Sequence, residues 1–168
     1  MFSVKPQTES SQPGKRAKVD MMPPMDEILP LKEELKKPDT KIDATGVTTI
    51  AEAGDITSSG AVTFGANKTG TLTTAGEITT TDDNVTFTNA VTQSGDVAID
   101  TGAGAGNILF KSTVATGDKD LALDAGSAGN ITAAGSITGG GAMTVVDGAV
   151  QLYSGAITVD SLNIQDAT

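Results

Sequence analysis

Asparagines 84, 107 and 130 stand at a constant spacing of 23 residues, and each opens a stretch of the same grammar: "NVTF", "NILF" and "NITA". One period earlier, residues 61–64 read "AVTF". A fixed period of this size points to stacked units, because one short unit cannot bury a hydrophobic face alone. Aligned on the period, the apolar positions fall into columns. Val62, Val85, Ile108 and Ile131 form one; Phe64, Phe87 and Phe110 a second; Val91, Val114 and Ile137 a third. Gly60, Gly106 and Gly129 precede three of the four starts, with Asp83 in place of glycine at the other.

Within one unit the apolar residues come in bursts: Val85 and Phe87, then Val91, then Val97 and Ile99. The next unit repeats them as Ile108 and Phe110, Val114, then Leu121 and Leu123. Alternation at a period of two, broken by polar residues and glycine, predicts short strands joined by turns. Three such strands per repeat make one coil of a parallel β-helix, with coils spaced by about 4.8 Å. The expected fold is therefore an all-β solenoid of about five coils, roughly 25 Å long on that spacing. Phe64, Phe87 and Phe110 are expected to stack inside it. Asn84, Asn107 and Asn130 are expected to form an amide ladder at a corner, each bonding the next. The ladder of rings ends at Ala133, the last two units shorten to 19 and 20 residues, and the stretch before residue 61 offers at most a partial coil. Open solenoid ends need covering, which predicts a homo-oligomer or an end-stacked rod.

Composition divides the chain near residue 43. Residues 1–43 hold all six prolines and eight basic residues matched by eight acidic ones. Such a segment buries too little apolar surface to offset the entropy of ordering it, so it reads as a flexible tail. Residues 44–168 hold three lysines against thirteen acidic residues and carry the whole net charge of −10. That acidity argues against nucleic-acid binding by the repeats, since phosphate contacts need a basic surface. No apolar run is long enough to span a bilayer. The first twenty residues also lack the apolar stretch of a secretory signal, so synthesis in the cytosol is expected.

The phrases "GDVAIDTGAGAGNILF" and "LALDAGSAGNITAAGSIT" resemble the glycine- and threonine-rich repeats of filamentous-haemagglutinin-type adhesins and of phage and viral fibre proteins. The resemblance covers residues 46–168. It implies an elongated, non-catalytic surface or fibre element. The adhesins carry a signal peptide and a secretion domain before their repeats, and neither is seen here; that departure favours a virion-like particle assembled inside a cell. The plan of a tail followed by a rod is also similar to fibres anchored by their tails.

In the tail, "MMPPMDEILPLKEELKKP" offers Met25, Ile28, Leu31 and Leu35 as apolar anchors for docking to another structural protein. Leu31 and Leu35, with Glu33 and Lys37, also fit two turns of helix between Pro30 and Pro38, too short to be stable alone. Lys15, Arg16 and Lys18 in "GKRAKVD" form a candidate nuclear-import cluster, which would place assembly in a host nucleus. In the repeats, Asp96, Asp100, Asp118, Asp120 and Asp124 are oxygen donors of the kind calcium takes. The glycine-rich calcium-repeat grammar is missing, so they read as turn aspartates and no metal or cofactor is expected. Asn67, Asn84 and Asn130 begin N-x-T acceptor patterns, two of them at ladder positions. An ice-binding array of T-x-T segments is broken at the offset of the phenylalanines. Solenoid hydrolases need carboxylates with basic or aromatic partners on a groove. Histidine is absent from the chain and no arginine lies in the repeats, which leaves a pair such as Asp118 and Asp120 and predicts a non-enzyme. The leading expectation is a structural protein of a virion or other extracellular particle. The alternative is an adhesin-like module whose outward residues, such as Thr92 and Thr138, line a glycan-binding face.

Overall fold

A computed structural model of the chain describes residues 39–42, 48–52, 54–65, 70–152 and 155–166. Its compact unit from Lys37 to Thr168 is a parallel β-solenoid with three sheets of six strands each. The first sheet, A, contains β1 (Thr40–Ile42), β4 (Val62–Phe64), β7 (Val85–Phe87), β10 (Ile108–Phe110), β13 (Asn130–Ala133) and β16 (Ala149–Leu152). Sheet B contains β2 (Thr48–Ile50), β5 (Thr71–Thr74), β8 (Ala90–Gln93), β11 (Val114–Gly117), β14 (Ile137–Gly139) and β17 (Ile157–Thr158). Sheet C contains β3 (Ile56–Ser58), β6 (Ile78–Thr80), β9 (Val97–Asp100), β12 (Leu121–Asp124), β15 (Ala142–Asp147) and β18 (Ser161–Asp166). Every third strand joins the same sheet, so each coil contributes one strand to each face. Six strands per sheet make five steps, roughly 25 Å at the usual strand spacing.

The register is the one the repeat demands. Val62 lies beside Val85, Val85 beside Ile108 and Ile108 beside Ile131. Val91, Val114 and Ile137 align in sheet B, and Val97, Leu121 and Met143 in sheet C. These columns face inward and form one continuous core. Neighbouring residues on each strand face out, because successive side chains alternate across a strand. The phenylalanines stack as expected: Phe64 on Phe87 at 5.0 Å between ring centroids and Phe87 on Phe110 at 4.8 Å, with planes within 7° and 11° of parallel. Ring spacing therefore matches coil spacing, and Ala133 continues the column without a ring.

Two details depart from the sequence reading. The stretch before residue 61 supplies a strand to all three sheets, where a partial coil was expected. Its first strand, Thr40–Ile42, precedes the expected boundary at residue 43 and pairs in parallel with Val62–Phe64. The pattern that hides this coil is chemical: Thr40 occupies the column that valine and isoleucine hold elsewhere. The core also contains buried polar side chains, namely Thr74, Thr80, Gln93, Thr101 and Thr116.

Glycine meets two separate needs. Gly126 has φ of +67°, the left-handed backbone that L side chains rarely adopt, and its missing Cβ leaves room for the carbonyl of Gly102 in the coil before. Gly129, from the glycine column, packs directly against the carbonyls of Ala125 and Gly106. A methyl group there has no space.

Candidate functional site

The corner leading into sheet A carries the amide ladder. Asn84 Oδ1 accepts hydrogen bonds from both the backbone N–H of Asn107, at 2.8 Å, and its side-chain Nδ2, at 2.9 Å. Asn107 Oδ1 accepts the same pair from Asn130, at 2.9 and 3.1 Å. Gln151 extends the run, its Nε2 donating to Asn130 Oδ1 at 3.3 Å. Each amide oxygen at Asn84 and Asn107 thus closes a two-point clamp on the next coil. Sugar attachment at Asn84 would replace one hydrogen of an Nδ2 that lies at the start of this ladder.

The ladder also forms one wall of a groove. Asn84, Asn107, Asn130 and Gln151 line it together with the outward side chains Thr86, Leu109 and Thr132 of sheet A, around a volume of about 320 Å³. Its lining is amide, hydroxyl and aliphatic, without an ionised side chain. Such a surface offers hydrogen bonds to neutral polar ligands.

The aspartates hold turns. Asp96 Oδ1 accepts the N–H of Asp120 at 3.0 Å, and Asp120 Oδ1 accepts that of Ala142 at 2.9 Å. Both bonds cross from one coil to the next. Asp100 Oδ1 accepts the N–H of Gly102 at 2.7 Å, and Asp124 Oδ1 that of Gly126 at 3.0 Å. These are Asx-turns, in which a carboxylate bonds its own chain two residues on. Asp118 is exposed in the turn between β11 and β12. Buried hydroxyls do related work: Thr80 donates to the carbonyl of Asp83 at 2.6 Å and Thr101 to that of Gly106 at 3.0 Å. Each thereby satisfies a carbonyl just ahead of a ladder asparagine.

Sheet B carries a feature that the broken array on sheet A concealed. Thr49, Thr73, Thr92, Ala115, Thr138 and Thr158 lie in register on its outer face. Thr92 and Thr138 thus share one column, with Ala115 between them, and both are exposed. The signal was available in the sequence at the offset of Val91, one residue beyond the inward column. Met25, Ile28, Leu31 and Leu35, the Lys15, Arg16 and Lys18 cluster and Asn67 all lie outside the described residues.

No helix among the described residues is long and apolar enough to cross a membrane. Comparison of the chain with protein-family models, with curated proteins and with solved structures gives no match.

Proposed function

We propose that the chain is a non-enzymatic structural component of a virion or other extracellular particle. Residues 1–43 dock it to another structural protein, and the solenoid serves as a stiff spacer or fibre segment. One observation supports this reading above the others: the repeated side chains are committed to joining coils. The asparagines clamp successive coils, the phenylalanines stack across them, and Asp96 and Asp120 each bond the coil that follows. Repetition at these positions serves rigidity along one axis, which is what a spacer needs. Immunogold electron microscopy of particles recovered from the source, using an antibody against residues 1–43, tests the proposal. Label at the particle shell supports it. Purified particles without label, and the protein recovered free of them, would overturn it.

A second reading, a glycan-binding attachment module, is favoured by the groove on sheet A. The absence of ionised side chains from its lining and the acidic surroundings fit a neutral sugar rather than an anionic one. The full chain and a Thr132→Arg variant, which fills the groove, would be compared on an array of neutral oligosaccharides. Binding by the first and not the second supports this reading; no binding by either removes it.

A further inference from the structure

The last coil ends in an unusual edge. Strand β18 runs for six residues, Ser161–Asp166, and pairs on one side with β15. Leu162 and Ile164 continue the inward columns of Met143 and Val145. Yet they are 48% and 47% exposed, the large apolar side chains left uncovered among the described residues. The first coil differs, for Ile50 is buried and Ile42 and Ile56 are partly buried against the core. A long edge strand with exposed apolar side chains is a template for pairing with another strand.

The direction of its free backbone groups follows from the ladder. Inward residues donate their N–H toward the following coil: Val62 to Asn84, Val97 to Asp120, Val114 to Ser136 and Ile137 to Ala156. By the same rule Leu162 and Ile164 aim their N–H and C=O groups at the open end of the solenoid. Ser161, Asn163 and Gln165 stand between and beside them, facing out. The strand is therefore symmetric in character about Asn163: polar, apolar, Asn, apolar, polar.

We propose that β18 pairs antiparallel with β18 of a second copy, on a two-fold axis through Asn163. In that register Leu162 faces Ile164 of the second copy, and Ile164 faces its Leu162. Both are hydrogen-bonded pairs, because all four residues present their backbone groups to the interface. Their side chains meet on the inner side and close the two cores on each other. Ser161 faces Gln165 of the second copy on the outer side. Shifting the register by two residues in either direction would set an apolar residue against Asp160 or Asp166. Shifting it by one would place inward residues opposite outward ones. The same two-fold lays β16 over the second copy's β17, so all three edges find a partner. The contact is isologous and stops at two copies, which joins two solenoids end to end. This inference stands whether or not the tail docks to a particle.

The natural chain lacks cysteine, which makes cross-linking decisive. Residues in a non-hydrogen-bonded antiparallel pair have Cα atoms about 4.5 Å apart, within the range a disulfide spans. The full chain carrying Asn163→Cys is therefore expected to form a covalent dimer under mild oxidation. Ser161→Cys and Gln165→Cys are expected to cross-link when mixed and not when alone. Sedimentation of the unmodified chain should give twice the chain mass. Leu162→Lys or Ile164→Lys should return it to one, with the circular dichroism of the parent. Head-to-tail stacking would continue the parallel register and place Asn163 beside Asp55 of the next copy. Cross-linking of Asn163→Cys to Asp55→Cys in a mixture, or a monomer in all of these measurements, would overturn the proposal.

Discussion

At the scale of single residues, the core tolerates little at the centre of the phenylalanine stack. Phe87 has a ring on each side, at 5.0 and 4.8 Å, and is buried. Truncation to alanine removes its own apolar burial and strands Phe64 and Phe110 across a cavity. Phe87→Ala should lower stability by about 3–5 kcal/mol, as for other large-to-small core changes. Urea unfolding followed by circular dichroism would read this, and an unchanged midpoint would mean that the ring contributes nothing to the core. Thr74 poses the opposite case. Its hydroxyl is buried without a hydrogen-bond partner, and so is Gln93 Oε1 in the adjoining coil. A buried, unsatisfied polar atom costs about 1–3 kcal/mol. Thr74→Val keeps the shape and removes the hydroxyl, so its unfolding midpoint should rise. A fall would show that the hydroxyl is satisfied in solution.

At the scale of elements, turns set the register as much as strands do. The paired turns at Asp100–Gly102 and Asp124–Gly126 each use a carboxylate to bond a left-handed glycine. In Gly126→Ala, the left-handed backbone alone costs about 1–2 kcal/mol. The new methyl also collides with the Gly102 carbonyl in the neighbouring coil. The loss should therefore exceed that range in urea unfolding, whereas a loss below it would mean that the turn shifts to relieve both. Strand columns were legible in the sequence because hydrogen-bonded coils force equal positions into contact, so Val85, Ile108 and Ile131 reveal their pairing by spacing alone. The amide ladder was legible for the same reason. The first coil was not, since Thr40 stands in a column that is apolar in the coils that follow. The inward Thr74 and Gln93 were hidden because polarity normally marks an outward position. The groove on sheet A needed three dimensions: its asparagines and its Thr86, Leu109 and Thr132 lie in separate columns, and only the corner brings them together.

At the scale of the whole solenoid, stability is expected to be nearly a sum over coils and the steps between them, because each coil touches only its neighbours. Deletion of one whole period should therefore be tolerated where deletion of part of one is not. Residues 107–129 form one complete period, bounded by Gly106 on one side and by Gly129 at its end. Removing them joins Gly106 to Asn130, which recreates the Gly-Asn step found at both natural junctions. Asn130 would then fall on Asn84, Ile131 on Val85 and Ala133 on Phe87, while Met143 would fall on Val97. Every column keeps its character, although the ring stack loses Phe110 and sheet C exchanges Leu121 for Met143 beside Val97. The shortened chain should remain β-rich and melt cooperatively at a lower temperature, with one step fewer along its axis. Removing only residues 107–118 is the control, because it takes out β10 and β11 whole and leaves β9 to feed directly into β12 without a path around the coil. That chain should fail to fold. If both deletions unfold, the coils are not interchangeable units, and their shared register does not by itself carry the fold. If the full-period deletion folds and the partial one does not, the 23-residue spacing is the structural quantum of this protein.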